Sequence, residues 1–487
     1  MTGTWAISGV DLHLDLAGPR VRAALESGLR EAVSSGRLRA GTRLPSSRAL
    51  AADLGIARNT VAEAYGQLVA EGWLTAVQGS GTRVAERVAE RVPNRAAAAD
   101  SNPVARYDLR PGSPDVSSFP RAAWLRAARR ALNRAPFDAL EYGDPRGRPE
   151  LRAALAEYLA RARGVRATPE RIVICSGFTL AFWLLCQVLR ARGGRLAIEE
   201  YGLPTVPPTA ATCEVPLRAM PVDEDGAVLA AAGDAAAMML TPAHQFPIGV
   251  PLAPRRRAEA VSWALAGDRL IIEDDYDGEF RYDRHPVGSL QAHAPDHVVY
   301  AGTASKTLAP GLRLAWLVVP PALLAPLVAT KTLAERHPGV IDQLTLAELI
   351  RSGAYDRHIR RVRLAYRRRR DRLVAALGHR APDARVSGIA AGLHALVDLP
   401  GGLSEAEAVS RARERGLALS GLASFGAGSA GLGRSGAPPA RHPPARHPPA
   451  RHPPARHPPA LVVGYAKPPE HAFTAAVARL TAVLARP

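Results

Sequence analysis

Apolar positions at helical spacing mark three helices near the start of the chain. Val21, Leu25, Gly28, Leu29, Ala32 and Val33 fall on one stripe across residues 19–35, Gly36 offers a stop, and Gly41 lies in the turn beyond. Residues 45–55 read as a short capped helix, with Ser46 as the N-cap and Gly55 turning the chain. Residues 58–72 follow with Val61, Ala64, Tyr65 and Leu68 on the inward face, which leaves Arg58, Asn59 and Thr60 at an exposed N-terminus. Two short strands, 73–77 and 82–84, flank the glycine-rich Gln78-Gly-Ser-Gly81 and predict a hairpin.

Residues 85–106, rich in Ala, Arg and Glu with little apolar periodicity, read as a linker. From Tyr107 onward, Ala/Leu/Arg helical patterns alternate with short apolar runs at 171–175, 196–198, 238–240, 270–272 and 298–300. That alternation predicts an α/β domain with a mostly parallel sheet. The chain therefore reads as multidomain: an α+β helix-turn-helix module over 12–84, then an α/β domain over 107–487. Inside the second, Arg-His-Pro-Pro-Ala repeats from Arg441, Arg446, Arg451 and Arg456 make 436–460 an exposed insertion that cannot pack. Its evenly spaced histidines read as low complexity, and no metal site is expected.

The net charge of +18 invites a nucleic-acid reading, but residues 1–84 contribute only +2 of it. The remainder sits in runs such as Arg255-Arg256-Arg257 and Arg367-Arg368-Arg369-Arg370, which read as solvated helix faces. Three cysteines without ligand spacing suggest a reducing cytoplasm and no disulfide framework. No signal peptide is expected at the start. The most apolar stretch, 315–329, is broken by Pro320, Pro321 and Pro326 and is too short to span a bilayer, so no membrane partner is expected.

The sharpest chemical phrase is Gly302-Thr-Ala-Ser-Lys-Thr-Leu-Ala-Pro-Gly-Leu-Arg313. A lysine that condenses with an aldehyde beside a phosphate needs hydroxyls and an arginine nearby, which Thr303, Ser305 and Arg313 supply around Lys306. Asp274 and Tyr276 follow a buried strand, whereas Asp277 and Glu279 read as a surface acidic loop. Ser176-Gly-Phe-Thr179 opens a helix after strand 171–175, a natural cradle of N–H groups for a phosphate.

Residues 12–84 resemble the winged helix of the GntR family, whose wording is close to Gly41-Thr-Arg-Leu-Pro-Ser-Ser-Arg-Ala-Leu-Ala and Arg58-Asn-Thr-Val. The resemblance implies binding to a double-stranded DNA operator through Arg48, Arg58, Asn59 and Thr60, with Gly79 of the wing in the minor groove. Ala57 departs from the Ser or Thr usual there. The lysine phrase resembles fold-type I, pyridoxal 5'-phosphate-dependent aminotransferases in the wording of MocR-type regulators. By that resemblance Lys306 forms the Schiff base and Asp274 pairs with the protonated ring nitrogen. Tyr276 then donates to the ring oxygen, and Ser176, Gly177, Phe178, Thr179, Thr303, Ser305 and Arg313 surround the cofactor. His244 and Gln245, in Thr241-Pro-Ala-His-Gln-Phe-Pro-Ile-Gly249, are candidates beside the ring. Tyr142, in Tyr142-Gly-Asp-Pro-Arg-Gly147, is implied to reach the partner's phosphate in a homodimer, arranged head-to-tail. Leu203 stands where an aromatic is common.

Aminotransferases clamp the substrate carboxylate with an arginine near the final strand, and residues 458–466 contain none. The expected function is thus a cytoplasmic transcription regulator that senses pyridoxal phosphate, an amine or an amino acid through aldimine chemistry. A working aminotransferase carrying a DNA-binding head is the alternative, and turnover separates the two.

Overall fold

The computed structural model describes residues 3–5, 12–14, 21–77, 81–85, 105–282, 287–428 and 457–485. Gly79, nearly all of the linker and most of the repeat tract lie outside the described residues. The chain divides into two compact units, Met1–Ser101 and Asn102–Pro487.

In the first unit, helices α1 (Val21–Ser34), α2 (Ser47–Leu54) and α3 (Arg58–Ala70) precede an antiparallel pair, Leu74–Val77 and Gly81–Val84. The expected stripe is the core: Leu25, Leu29, Ala32, Val61, Ala64 and Leu68 are all buried. Each such leucine contributes roughly 1.5–3 kcal/mol over leaving it in water. Ser46 caps α2 by accepting from the Ala49 N–H at 3.2 Å, whereas Ala57 gives α3 no side-chain cap. Tyr65 ties α3 back to the turn, its hydroxyl donating to the Pro45 carbonyl at 3.1 Å. A short antiparallel pair, Gly3–Trp5 with Leu12–Leu14, was not foreseen, because three-residue strands carry too little pattern.

The second unit is built on a seven-stranded sheet. Its spatial order is Ile172–Cys175, Ala315–Val318, Val298–Thr303, Leu270–Asp274, Ala237–Leu240, Leu196–Glu199, Leu217–Met220, and only Ala315–Val318 runs antiparallel to its neighbours. Helices on both faces bury the central strands completely, which is why they read as continuous apolar runs. The proline-broken stretch 315–329 is that antiparallel strand followed by helix Pro321–Ala334, with a proline at its first position. Among the described residues no helix is long and apolar enough to cross a membrane. A four-stranded antiparallel sheet, Arg385–Ser387, Ala395–Asp398, Ala460–Val463 and Ser420–Gly421, shares a separate core cluster with helices Ala354–Arg380 and Glu470–Leu484. All three cysteines are fully buried in the cluster that packs helix Phe178–Ala191 onto the large sheet.

Candidate cofactor site and DNA-reading helix

Parallel strands end at one edge of a sheet, so residues just past their carboxyl ends converge. Here Asp274 ends one strand, Glu199 ends another, and the turn after Val298–Thr303 carries Ser305 and Lys306. They line a cavity of about 800 Å³, together with Phe178, Thr179, Tyr201, Tyr276, Thr303 and Arg313.

Lys306 directs its Nζ to the Gly112 carbonyl at 2.5 Å, and burial pulls its ammonium below the usual lysine range against the opposing pull of Asp274 and Asp277. A lysine so placed is nearer to the free amine, the nucleophilic form. Burial pushes the Asp274 carboxyl up to about 8, with the Lys306 charge pulling it partly back. Its carboxyl accepts no hydrogen bond from any described residue. The next residue is its opposite. Asp275 takes a bidentate pair from Arg163 at 2.6 and 3.0 Å and the Tyr300 hydroxyl at 2.7 Å.

Arg313 sits in the left-handed region and donates from Nη2 to the Ser176 carbonyl at 2.8 Å. Its guanidinium lies so close to Gly177 that a Cβ there would stand 2.5 Å from Nη2, and Gly177 itself has φ +90°. The backbone conformation thus favours glycine at the mouth of helix Phe178–Ala191, and a side chain there would push the Arg313 guanidinium aside. The first turn of that helix leaves N–H groups without intrahelical partners, beside an arginine. Thr303 and Ser305 join by their hydroxyls at 3.0 Å, and the Ser305 N–H donates to Thr303 Oγ1 at 3.1 Å.

The remaining expected residues are placed less directly. The Tyr276 ring lines the cavity, but its hydroxyl donates to the His244 carbonyl at 3.1 Å and lies as far from His244 Nδ1. His244 stands behind it, buried, with Nδ1 at 2.8 Å from Asp277. The reading of Asp277 as a surface acid is therefore corrected: it is 2 % exposed, and burial is affordable because His244 supplies a partner. Glu279, also read as a surface acid, is half-buried, accepts from the Tyr158 hydroxyl at 3.1 Å and is pushed by burial up to about 7. The Gln245 amide donates to Glu199, to the Tyr201 carbonyl and to the Phe246 carbonyl, and accepts the Ile248 N–H. It braces the cavity wall and does not line it. Tyr142 is 78 % exposed, with the Arg336 guanidinium 4.6 Å over its ring.

Sequence reasoning missed much of the lining, including Gly112, Glu199, His394 and Phe425. Glu199 accepts the Thr241 hydroxyl at 2.6 Å, and burial lifts its carboxyl to about 7. His394 is buried 5.1 Å from the His244 ring, held by burial well below the usual histidine range. His244, Asp277 and His394 form a group of metal-ligand type, yet each already has a hydrogen-bond partner.

These residues fit pyridoxal phosphate. The buried, partnerless Asp274 carboxyl is matched by a protonated ring nitrogen, which would restore its charge. Arg313 and the Phe178–Ala191 N-terminus match the phosphate, and Lys306 matches the aldehyde.

In the first unit, Arg48, Arg58 and Asn59 are exposed and Thr60 half-buried. Arg48 and Arg58 have no ion-pair partner among the described residues. By contrast, Arg22 pairs with Glu63 at 3.2 Å and Arg30 with Glu71 at 2.8 Å. Positive charge therefore stays open at the start of α3 and is neutralised where α1 meets α3.

Two family models match: the gntR family of bacterial regulatory proteins over residues 22–84, and aminotransferase class I and II over residues 112–441. The pyridoxine biosynthesis transcriptional regulator PdxR of Corynebacterium glutamicum is 34% identical over 373 residues, 76% of this chain and 81% of that protein. The probable rhizopine catabolism regulatory protein MocR of Rhizobium meliloti is 32% identical over 369 residues, 71% of this chain and 75% of that one. Among solved structures, a Pyrococcus horikoshii kynurenine aminotransferase superposes with a TM-score of 0.65 at 22% identity, covering 77% of this chain and 90% of that one. A GntR-type head joined to an aminotransferase body is the make-up shared with those regulators, and this chain belongs to the MocR-type branch of the GntR family, DNA-binding transcription regulators with pyridoxal phosphate as cofactor.

Proposed function

We propose that this regulator senses pyridoxal phosphate, or an amine that reacts with it, and that it does not sustain transamination. The observation that carries the reading is the charge in the cavity. Among the described residues Arg313 is the only arginine lining it, and Arg313 is engaged with Ser176 beside the phosphate cradle. Among the described residues no second arginine lines the cavity to clamp a substrate carboxylate. Unclamped, an α-amino acid takes many poses, and misplacement by about 1 Å costs on the order of 100-fold in rate.

Each side chain then has a role. Asp274, as a carboxylate, would accept a hydrogen bond from the protonated ring nitrogen, and Arg313 with the helix N-terminus would hold the phosphate. Lys306, its ammonium pulled by burial below the usual lysine range and its Nζ held by the Gly112 carbonyl, is the amine that would hold the cofactor's aldehyde carbon, with loss of water. Tyr276 reaches the ring oxygen by releasing the His244 carbonyl. Bound there, the cofactor supplies a carbonyl that condenses with amines and a ring that withdraws electrons. Exposed Tyr142 reaches the phosphate of a second copy in a head-to-tail homodimer, and Arg48, Arg58, Asn59 and Thr60 meet the operator.

The test mixes the cofactor-loaded protein with a panel of amino donors and 2-oxo acids and follows product over many cycles. Spectral change without accumulating product, together with altered operator affinity, is expected. Sustained transfer at about 1 per second or faster, an ordinary enzymatic rate, would make the chain an aminotransferase with a DNA-binding head.

A further inference from the structure

Much of the net positive charge sits on one element. Helix Ala354–Arg380 carries ten arginines and two aspartates. Several of the arginines are internal fasteners. Arg369 is buried against Asp115, Glu470 and the Ala466 and Pro468 carbonyls. Arg361 reaches the Ser118 carbonyl, and Arg372 reaches Glu470 and Thr474.

Arg360, Arg363 and Arg367 differ. None has an ion pair or hydrogen bond among the described residues. Spaced i, i+3, i+7, they share one helix face and span about 10 Å of axis. They line a second cavity of about 550 Å³ with Arg161 and Arg281. Its carboxylates form no ion pair with them: Asp356 is paired with Arg161 at 2.8 Å, and Glu279 accepts the Tyr158 hydroxyl at 3.1 Å. The adjoining face of the helix, Tyr355, Ile359, Val362 and Tyr366, is buried, so the arginines project from a fixed support.

We infer that this groove is a second DNA contact, gripping the phosphodiester backbone without reading bases. The inference rests on the chain being a DNA-binding regulator. A small phosphate calls for guanidinium groups that converge on a point, whereas these are strung along an axis. A duplex carries one charge per ~1.7 Å, so ~10 Å of it offers about six phosphates. Guanidinium forks suit such oxygens. Residues 1–84 carry only +2, so the body supplies the electrostatic hold that the reading head lacks.

The test uses the full-length, cofactor-loaded protein with Arg360→Gln, Arg363→Gln and Arg367→Gln combined. Affinity is measured against salt on a duplex selected by the wild type and on a scrambled one. At ~0.9 per phosphate, the log–log slope should fall by about 2.7 on both duplexes. The wild type should then lose about 40-fold more affinity than the variant between roughly 50 and 200 mM salt. Sequence preference, melting temperature and cofactor absorbance should hold. An unchanged slope in the folded variant overturns the inference. If the triple variant misfolds, Arg363→Gln alone must lower the slope by about 0.9. Inorganic tripolyphosphate is the other arm: binding that needs these arginines while the DNA slopes coincide assigns the groove to free phosphate and overturns a DNA contact. Arg58→Ala separates the two ideas, since it should relax sequence preference and keep the groove's share of the slope. A wild type that binds neither duplex overturns the regulator reading itself.

Discussion

At the starts of α2 and α3, Arg48 and Arg58 are exposed with no ion-pair partner among the described residues; in the cavity, the covered Asp274 carboxyl accepts no hydrogen bond from any described residue. An exposed guanidinium keeps its hydration and stays open to an anion with little strain on the fold. A covered carboxylate has lost its hydration, so its pKa rises and the fold is penalised until a cation arrives. The first kind of waiting site answers to salt, the second to pH and to one ligand.

The largest effect should come from Lys306→Ala, which removes the only amine lining the cavity among the described residues. Covalent retention of cofactor after borohydride reduction, read by mass spectrometry, should vanish. Retention at wild-type level would mean that another amine does the work.

Next comes the pH dependence of the cofactor-free protein. Asp274 lies near 8 when folded and near the ordinary 3.8 when unfolded. Between those values the folded chain holds a proton that the unfolded chain has released, so stability falls as pH rises. Glu199 and Glu279 act with the same sign but only up to about 7. Melting temperature should therefore still drop between pH 7 and 8 in the wild type, and not in Asp274→Asn. Parallel melting curves for the two would show that Asp274 is not the covered group.

Arg58→Ala should weaken binding to a selected duplex by roughly 1–3 kcal/mol if the side chain reads a base edge. Equal weakening on every sequence would place it on phosphate instead. The smallest effect should be Ala57→Ser, which restores an oxygen where α3 has none. A gain of about 1 kcal/mol in unfolding free energy is expected, and no gain would mean that water already serves those N–H groups.

The same contrast explains what the sequence revealed. The parallel strands inside the large sheet were legible because burial on both faces forces unbroken apolar runs, although the equally buried antiparallel strand Ala315–Val318 was not read as one, and the helices of the head because one-sided burial forces a stripe. The lysine phrase was legible because its chemistry is local in the chain. Strand Leu217–Met220 was not, being at the sheet edge with Arg218 and Ala219 exposed. Nor was the covering of Asp277: its partner His244 lies 33 residues away, and an acidic run looks the same wet or dry. Glu199 and Gln245 likewise bond each other across 46 residues. Satisfaction of a buried polar group is a pairwise fact, and no single-position pattern encodes it.

The buried cysteines bear on how such a protein is handled. A thiol competes with an amine for any aldehyde, but only as an accessible thiolate. Burial pushes Cys175 and Cys186 up to about 12, and Cys213 is wholly covered. Alkylating reagents should therefore leave the native protein untouched, whatever the state of its colour. Cys186 lies on helix Phe178–Ala191, whose first turn is the proposed phosphate cradle, and Cys175 lies on the strand before it. Their labelling rate in dilute denaturant becomes a clock for local opening at that end of the sheet, running independently of the cofactor's own absorbance.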